Sequence, residues 1–148
     1  MGISFLLLIL WAAFVFAKLE IEIEGKHGWA EKLPTWRVER HVLLDMFFGG
    51  RPLTGYHVWA FLFVFTMFHL PFAWNGSWSL TGELRVLGGY TLFWIVEDLL
   101  WFLFNPHYGW KRFTRDNVWW HKRWVLGLPA DYWVLGSVAV ALLSYPWS

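Results

Sequence analysis

The 148-residue sequence contains no cysteine. Disulfides, thiolate metal centres, thiol nucleophiles and iron–sulfur ligation by this chain are thereby excluded, and the redox compartment is left open. Charge is scarce too: Asp, Glu, Lys and Arg make up 16% of the residues, and 12 basic against 11 acidic side chains leave a net charge of +1. No continuous basic face is available for a nucleic-acid footprint, so nucleic acid is not an expected partner. Several local signatures of chemistry are also missing. There is no HExxH, no pair of histidines at helical i, i+4 spacing, no histidine box of desaturase type and no serine nucleophile in its usual glycine context.

What is abundant is apolar. With 57% hydrophobic residues, 14 tryptophans and 14 phenylalanines, the chain is too greasy for an ordinary soluble domain. The expectation is an all-α integral membrane protein with one membrane domain over residues 1–148. Four transmembrane segments can be drawn, at residues 3–17, 56–74, 84–104 and 132–147. The third is the clearest, because 21 residues at helical rise give about 32 Å, against a hydrocarbon core of about 30 Å.

Four spans place the connections at residues 18–55 and 105–131 on one side. The first holds Lys18, Lys26, Lys32, Arg37, Arg40 and Arg51, and the second Lys111, Arg112, Arg115, Lys122 and Arg123. Only Arg85 lies opposite, so 11 of the 12 basic residues mark that side as cytoplasmic by the positive-inside rule. Both termini are then non-cytoplasmic, in a membrane of the bacterial inner-membrane type. The run MGISFLLLILWAAFVFA, with Val15 and Ala17 in a cleavage-like pattern, competes as a secretory signal but has no basic n-region. Cleavage would invert every later loop, so a retained first span is expected.

Between the first two spans, Leu19, Ile21 and Ile23 alternate with Glu20, Glu22 and Glu24. Period two predicts a short strand-like segment on the cytoplasmic side, the alternative being a helix that continues with Glu20 and Glu24 one turn apart. WRVERHVLLDMFF at residues 36–48, with Arg37, His41 and Asp45 down one side, predicts an interfacial amphipathic helix. WKRFTRDNVWWHKRW at residues 110–124 interleaves cations with tryptophans, a composition suited to membrane lipids with anionic headgroups at the cytoplasmic face. Asp131 is read as the N-cap of the fourth span. Small residues one turn apart, Ala13 and Ala17 on the first span and Gly136, Ser137, Ala139, Ala141 and Ser144 on the fourth, predict packing faces.

The chemistry-bearing feature is WIVEDLLWFLFNPHYGW, in which Glu97 and Asp98 stand side by side inside an apolar run. Glu97 lies seven residues before the end of the span, about 10 Å below its edge. An ionised carboxylate facing lipid there costs about 3 kcal/mol or more, so both must be paired, protonated or turned inward. Neighbours on a helix diverge by about 100°, so the two acids aim at different targets. Asp98 shares a stripe with Thr91 and Asn105 and is expected to face the interior. Glu97 follows Tyr90, Trp94 and Trp101, and a tryptophan or tyrosine donor from a neighbouring helix is its expected partner. Asn105, Pro106 and Gly109 read as a helix stop and turn.

Five of the six histidines share the side toward which the acids are displaced. Three readings follow. One is a divalent metal site built from Asp98, His57, His107 and His121, joined or replaced by Glu97. Another is a general acid/base group of Asp98, Glu97, His57 and His107, in a membrane-embedded enzyme acting on a lipid or lipid-linked substrate at the inner leaflet. The third makes both acids structural, paired with Arg51, Arg112 or partner subunits, in a non-catalytic subunit or assembly factor of a larger membrane complex. A porphyrin held by His57 with His107 or His121 ranks below these. A proton or ion conduit lacks polar groups through the outer half, where Thr66 and His69 stand alone. The acid/base enzyme is the reading adopted.

Overall fold

The first helix, α1 (Ile3–Glu24), shows at once where period two misleads. A computed structural model describes residues 3–39, 41–42 and 50–144 of the chain. In it the helix does not stop at Ala17, and the strand expected at residues 19–24 does not form. The backbone stays helical because Ala13, Ala17, Glu20, Ile21 and Glu24 fall on one buried face while Glu22 and Ile23 point outward, a spacing of three and four that only a helix gives. Gly25, at φ 61°, ends the helix in the left-handed region, and its N–H returns to the Ile21 carbonyl at 2.9 Å.

In the connection that follows, β1 (Arg37–Val38) pairs antiparallel with β2 (Leu53–Thr54). The interfacial helix expected over residues 36–48 is therefore replaced at its start by a strand. Residues 40 and 43–48 of that expectation lie outside the described residues. Helix α2 (Gly55–Asn75) starts at Thr54, whose Oγ1 accepts the His57 N–H at 3.2 Å, and closes at Gly76 with φ 63°. Helix α3 (Leu80–Phe104) starts in the same way: Ser79 Oγ accepts the Gly82 N–H at 3.0 Å. The second connection carries one turn of 3-10 helix (Trp110–Arg112). It ends in a hairpin of β3 (Trp124–Val125) and β4 (Leu128–Pro129). Helix α4 (Ala130–Ser144) begins one residue earlier than its expected cap, leaving Asp131 within the first turn.

Three of the helices, α1, α2 and α3, are long and apolar enough to cross a membrane, with mean hydropathies of 2.0, 1.4 and 1.4. The fourth is apolar but only 15 residues long as described, or about 22 Å. Among the described residues, then, three spans rather than four meet the length that a bilayer demands, and residues 145–147 of the fourth lie outside the described residues.

The centre of the bundle is α3, with α1 along one side and α4 along another. Close approach comes from two glycines. A Cβ on Gly88 would sit 2.9 Å from Leu143 Cγ, and one on Gly89 3.0 Å from Phe5 Cζ and 3.2 Å from Ile9 Cδ1. Helix α2 instead stands off behind aromatic rings, with Phe61 against Trp94 at 4.7 Å, Phe65 against Tyr90 at 5.6 Å and Phe68 against Phe93 at 5.9 Å between centroids. The small-residue expectation holds for Ala13 and Ala17, which are fully buried. In α4 it holds for Ala139 alone among the described residues: Ser137, Ala141 and Ser144 face outward, and space around Gly136 is open.

Candidate functional site

Because α1 and α4 are drawn onto α3 while α2 is held away, the helix ends nearest the two long connections do not close on one another. They leave a cavity of about 260 Å³. Both acids of the third span line it, but on different sides, as their angular separation requires. Asp98 turns toward α4 and the second connection. Its Oδ2 accepts the Tyr132 hydroxyl and lies 3.1 Å from His121 Nε2. The other nitrogen of that imidazole, Nδ1, lies 3.6 Å from Asp131 Oδ2, and Asp131 is clasped by Arg51 at 2.6 Å. One histidine thus bonds one carboxylate and faces a second beyond hydrogen-bond reach, and an arginine secures the outer one.

His121 is 4% exposed. Burial by itself would lower the affinity of its imidazole for a proton. Asp98 and Asp131 outweigh that effect and the opposing Arg51 charge, so the His121 pKa is raised above the usual histidine value. The hairpin positions it: the Ala130 N–H bonds to the Arg123 carbonyl at 2.8 Å, and Trp124 Nε1 donates to the His121 carbonyl at 2.8 Å.

Glu97 turns the other way, toward α1. Its partner is not the tryptophan or tyrosine expected from the stripe but Glu20, carboxyl to carboxyl. Such a pair can hydrogen-bond only through a shared proton. Glu20 also accepts the Tyr56 hydroxyl at 3.0 Å. One turn on, Glu24 accepts the Ala30 N–H at 2.5 Å, which holds the consecutive left-handed residues Trp29 (φ 57°) and Ala30 (φ 52°) in place. Trp29 in turn stacks on His57 at 4.0 Å, lies under the Arg51 guanidinium at 4.6 Å and donates to the Pro52 carbonyl at 2.8 Å. Glu97 is 3% exposed, and its Oε1 has no hydrogen-bond partner among the described residues; the same is true of Trp94 Nε1, Trp101 Nε1 and His121 Nδ1. All four side chains line the cavity.

Of the residues singled out from sequence, Asp98, Glu97, His57 and His121 meet at this cavity. His57 lies on its wall, with Nδ1 2.7 Å from Thr54 Oγ1. His107 is not part of it. That residue is exposed in the turn after α3, its N–H bonded to Asn105 Oδ1 at 3.0 Å and its carbonyl accepting Arg112 Nη1 at 2.8 Å. The set Asp98, His57, His107 and His121 is therefore not brought together, and no group of three or more metal-ligating His, Cys, Asp or Glu side chains is gathered among the described residues. Arg112 stays with His107, whereas Arg51 reaches the site and pairs with Asp131. Asn105 is structural, because its Nδ2 donates to the Gly25 carbonyl at 2.7 Å and ties the end of α3 to the end of α1.

Sequence reasoning missed Glu20, Glu24, Tyr56, Asp131 and Tyr132 as site residues. A signal existed for two of them. Glu20 and Glu24 continue the buried series of Ala13 and Ala17 at helical spacing. Asp131 and Tyr132 carried none, because only the hairpin brings the start of α4 to Asp98.

Beside the cavity an apolar groove of about 580 Å³ runs between α1 and α2, walled by Phe16, Leu19, Ile23, Trp59 and Phe63. Tyr56 lines this groove while its hydroxyl reaches Glu20, a residue of the cavity wall. At the opposite end of the helices, His69 Nε2 lies 3.1 Å from Glu83 Oε1, and Trp78 Nε1 donates to Glu83 Oε2 at 3.0 Å. A packed apolar layer of Ile9, Ala13, Val64 and Phe93 lies between the two polar groups.

No protein-family model, no curated protein and no solved structure matches this chain.

Proposed function

We propose that the protein is a membrane-embedded enzyme that performs acid/base chemistry on a lipid or lipid-linked substrate. The observation that carries this reading is the His121 imidazole between Asp98 and Asp131 at a cavity that Glu97, with one unpartnered carboxyl oxygen among the described residues, also lines. An imidazole fixed through Nε2 by one carboxylate, with its Nδ1 free of any hydrogen-bond partner among the described residues, is oriented to give or take a proton. The Glu97–Glu20 pair supplies a second, separately housed proton site on the opposite wall. Two titratable groups in different surroundings are what a reaction needs when one atom gains a proton and another loses one.

The apolar groove supports a substrate with a hydrocarbon chain, since it runs alongside the cavity behind Tyr56. In the bilayer, the two long connections would face the cytoplasm, because they hold 11 of the 12 basic residues. The exposed cations and tryptophans of the second connection, with Lys122 5.3 Å over the Trp119 ring, would then rest on anionic headgroups. The conduit reading is disfavoured by the apolar layer between the two polar groups. A subunit role calls for a polar patch at membrane depth, yet outward positions such as Leu8, Trp11, Leu62, Phe63 and Val140 resemble lipid-facing ones.

The test is a comparison of membrane lipids from cells producing the wild-type chain, Asp98→Asn or His121→Gln. Wild type should convert at least one lipid class, and either substitution should slow that conversion by about 10²- to 10⁴-fold. Indistinguishable lipid profiles for wild-type and both variant cells would sink the proposal.

A further inference from the structure

The cavity has an unbalanced charge inventory. Arg51 is matched by Asp131, and His121 by Asp98. Among the described residues, Glu20, Glu24 and Glu97 have no cationic side chain against them: their partners are the Tyr56 hydroxyl, backbone N–H groups and one another. Acid clusters of this kind are often only structural. Here a second feature points to a ligand: Trp101, itself 3% exposed, lines the cavity with an indole N–H that has no acceptor among the described residues, and one carboxyl oxygen of Glu97 is likewise without a partner there. Besides the two ion pairs, the wall holds the rings of Trp94, Trp101, Trp120, Phe61 and Tyr90.

Carboxyls with aromatic rings are the chemistry that recognises an organic ammonium group, through charge-assisted hydrogen bonds and the negative faces of the rings. A compact inorganic cation is a poorer match. It needs several oxygens converging on one point, and the described residues offer no such set. Trp94 Nε1 and Trp101 Nε1 are donors without acceptors among the described residues, so the ligand should carry an oxygen close to its nitrogen. A volume of about 260 Å³ lies just under the range of about 300–1,000 Å³ typical of small-molecule sites, which suits a headgroup rather than a whole lipid.

We propose that the cavity binds an ammonium group bearing a neighbouring oxygen, the chemistry of an ethanolamine or choline head, with the Glu97–Glu20 pair, which keeps one negative charge while it shares a proton, as its anionic contact. This names the substrate class of the acid/base site and rests on that reading, but binding can be measured without turnover. The experiment titrates the full chain in detergent with choline and with its neutral carbon isostere, 3,3-dimethylbutan-1-ol, following heat of binding. In parallel, nanodiscs containing ethanolamine- or choline-headed phospholipid are compared with nanodiscs of an anionic glycerol-headed one by thermal unfolding.

Choline should bind at least about tenfold tighter than the isostere, and the double substitution of Glu20→Gln with Glu97→Gln, which removes the charge of the pair, should abolish that preference. If the double variant does not fold, Trp94→Leu provides the second variant and should weaken choline binding more than isostere binding. Binding of free choline identifies a soluble amine as sufficient, while stabilisation only in amine-headed nanodiscs identifies the lipid as the source. Equal affinity for choline and isostere, together with no nanodisc preference, overturns the proposal, as does a full preference retained in the double variant. His121→Gln should keep the preference while losing lipid conversion. Lipid conversion by wild type without any amine preference overturns the ammonium site and leaves the acid/base site standing.

Discussion

His121 holds its place through charge as much as through packing. Asp98, Asp131, Arg51 and the Tyr132 hydroxyl surround its ring, and the two acids raise its pKa above the usual value of about 6.5. A group whose folded pKa lies above its unfolded one contributes stability that is fully present below the unfolded value. That contribution disappears as pH climbs through the folded pKa, so the window of loss begins above about pH 6.5. The wild-type melting temperature in detergent should accordingly be lower at alkaline pH than near neutrality. His121→Gln should flatten the change; an unaltered slope in that variant would show that other groups carry it. At this scale Glu97 and Asp98 were legible as acids with different targets, since adjacent helical residues must diverge. Their partners were not, because Glu20 and His121 lie 77 and 23 positions away in the chain and only packing brings them close.

Among the elements, the connections contribute more to the site than their lack of regular structure implies. Gly28 is a place where nothing larger fits: a Cβ there would collide with the Trp120 ring at Cη2 and sit 3.1 Å from Trp101 Cη2. Both indoles are buried and line the cavity. Gly28→Ala should therefore lower stability by about 1–3 kcal/mol, measured as a reduced denaturation midpoint, with choline affinity falling in parallel. The β3–β4 hairpin offers the opposite case. Its two central residues, Leu126 at φ 50° and Gly127 at φ 83°, form a turn whose first position favours asparagine or glycine. Leu126 is 87% exposed and has no burial to lose. Leu126→Asn should raise stability by roughly 1 kcal/mol; a lower melting temperature in that variant would show that Leu126 packs against something outside the described chain. The hairpin was visible in sequence only as an apolar stretch broken by Gly127 and Pro129. The alternation of residues 19–24 suggests a strand only while the burial demand of Ala13 and Ala17 upstream is left out; with it, the same residues continue a helical face.

For the whole molecule, the absence of cysteine makes orientation directly measurable. Single cysteines at Lys26 and Lys111, in the two long connections, should react with a membrane-impermeant thiol reagent from the same side of sealed vesicles. A cysteine at Ser77, between α2 and α3, should react from the other. Labelling of Ser77→Cys and Lys111→Cys from one side would contradict α3 as a span. Helix α3 is the axis of the arrangement: Gly88 and Gly89 admit its neighbours at one level, and Asn105 ties its end to α1. Between those levels lie the carboxylates, surrounded by residues from every other helix and both connections.

Composition and hydropathy determined by themselves that the chain is helical, that its long helices suit a membrane and that two acids must be sheltered inside one of them. These properties follow from local free energies, the transfer of side chains and the hydrogen bonding of a backbone in apolar surroundings. The tertiary structure alone decided which residues shelter the acids. That choice depends on ring sizes between α2 and α3, on glycines that set helix separation and on a hairpin that returns His121, Asp131 and Tyr132 to Asp98. Each is a matter of shape between segments distant in sequence, and no periodicity in a single segment encodes it.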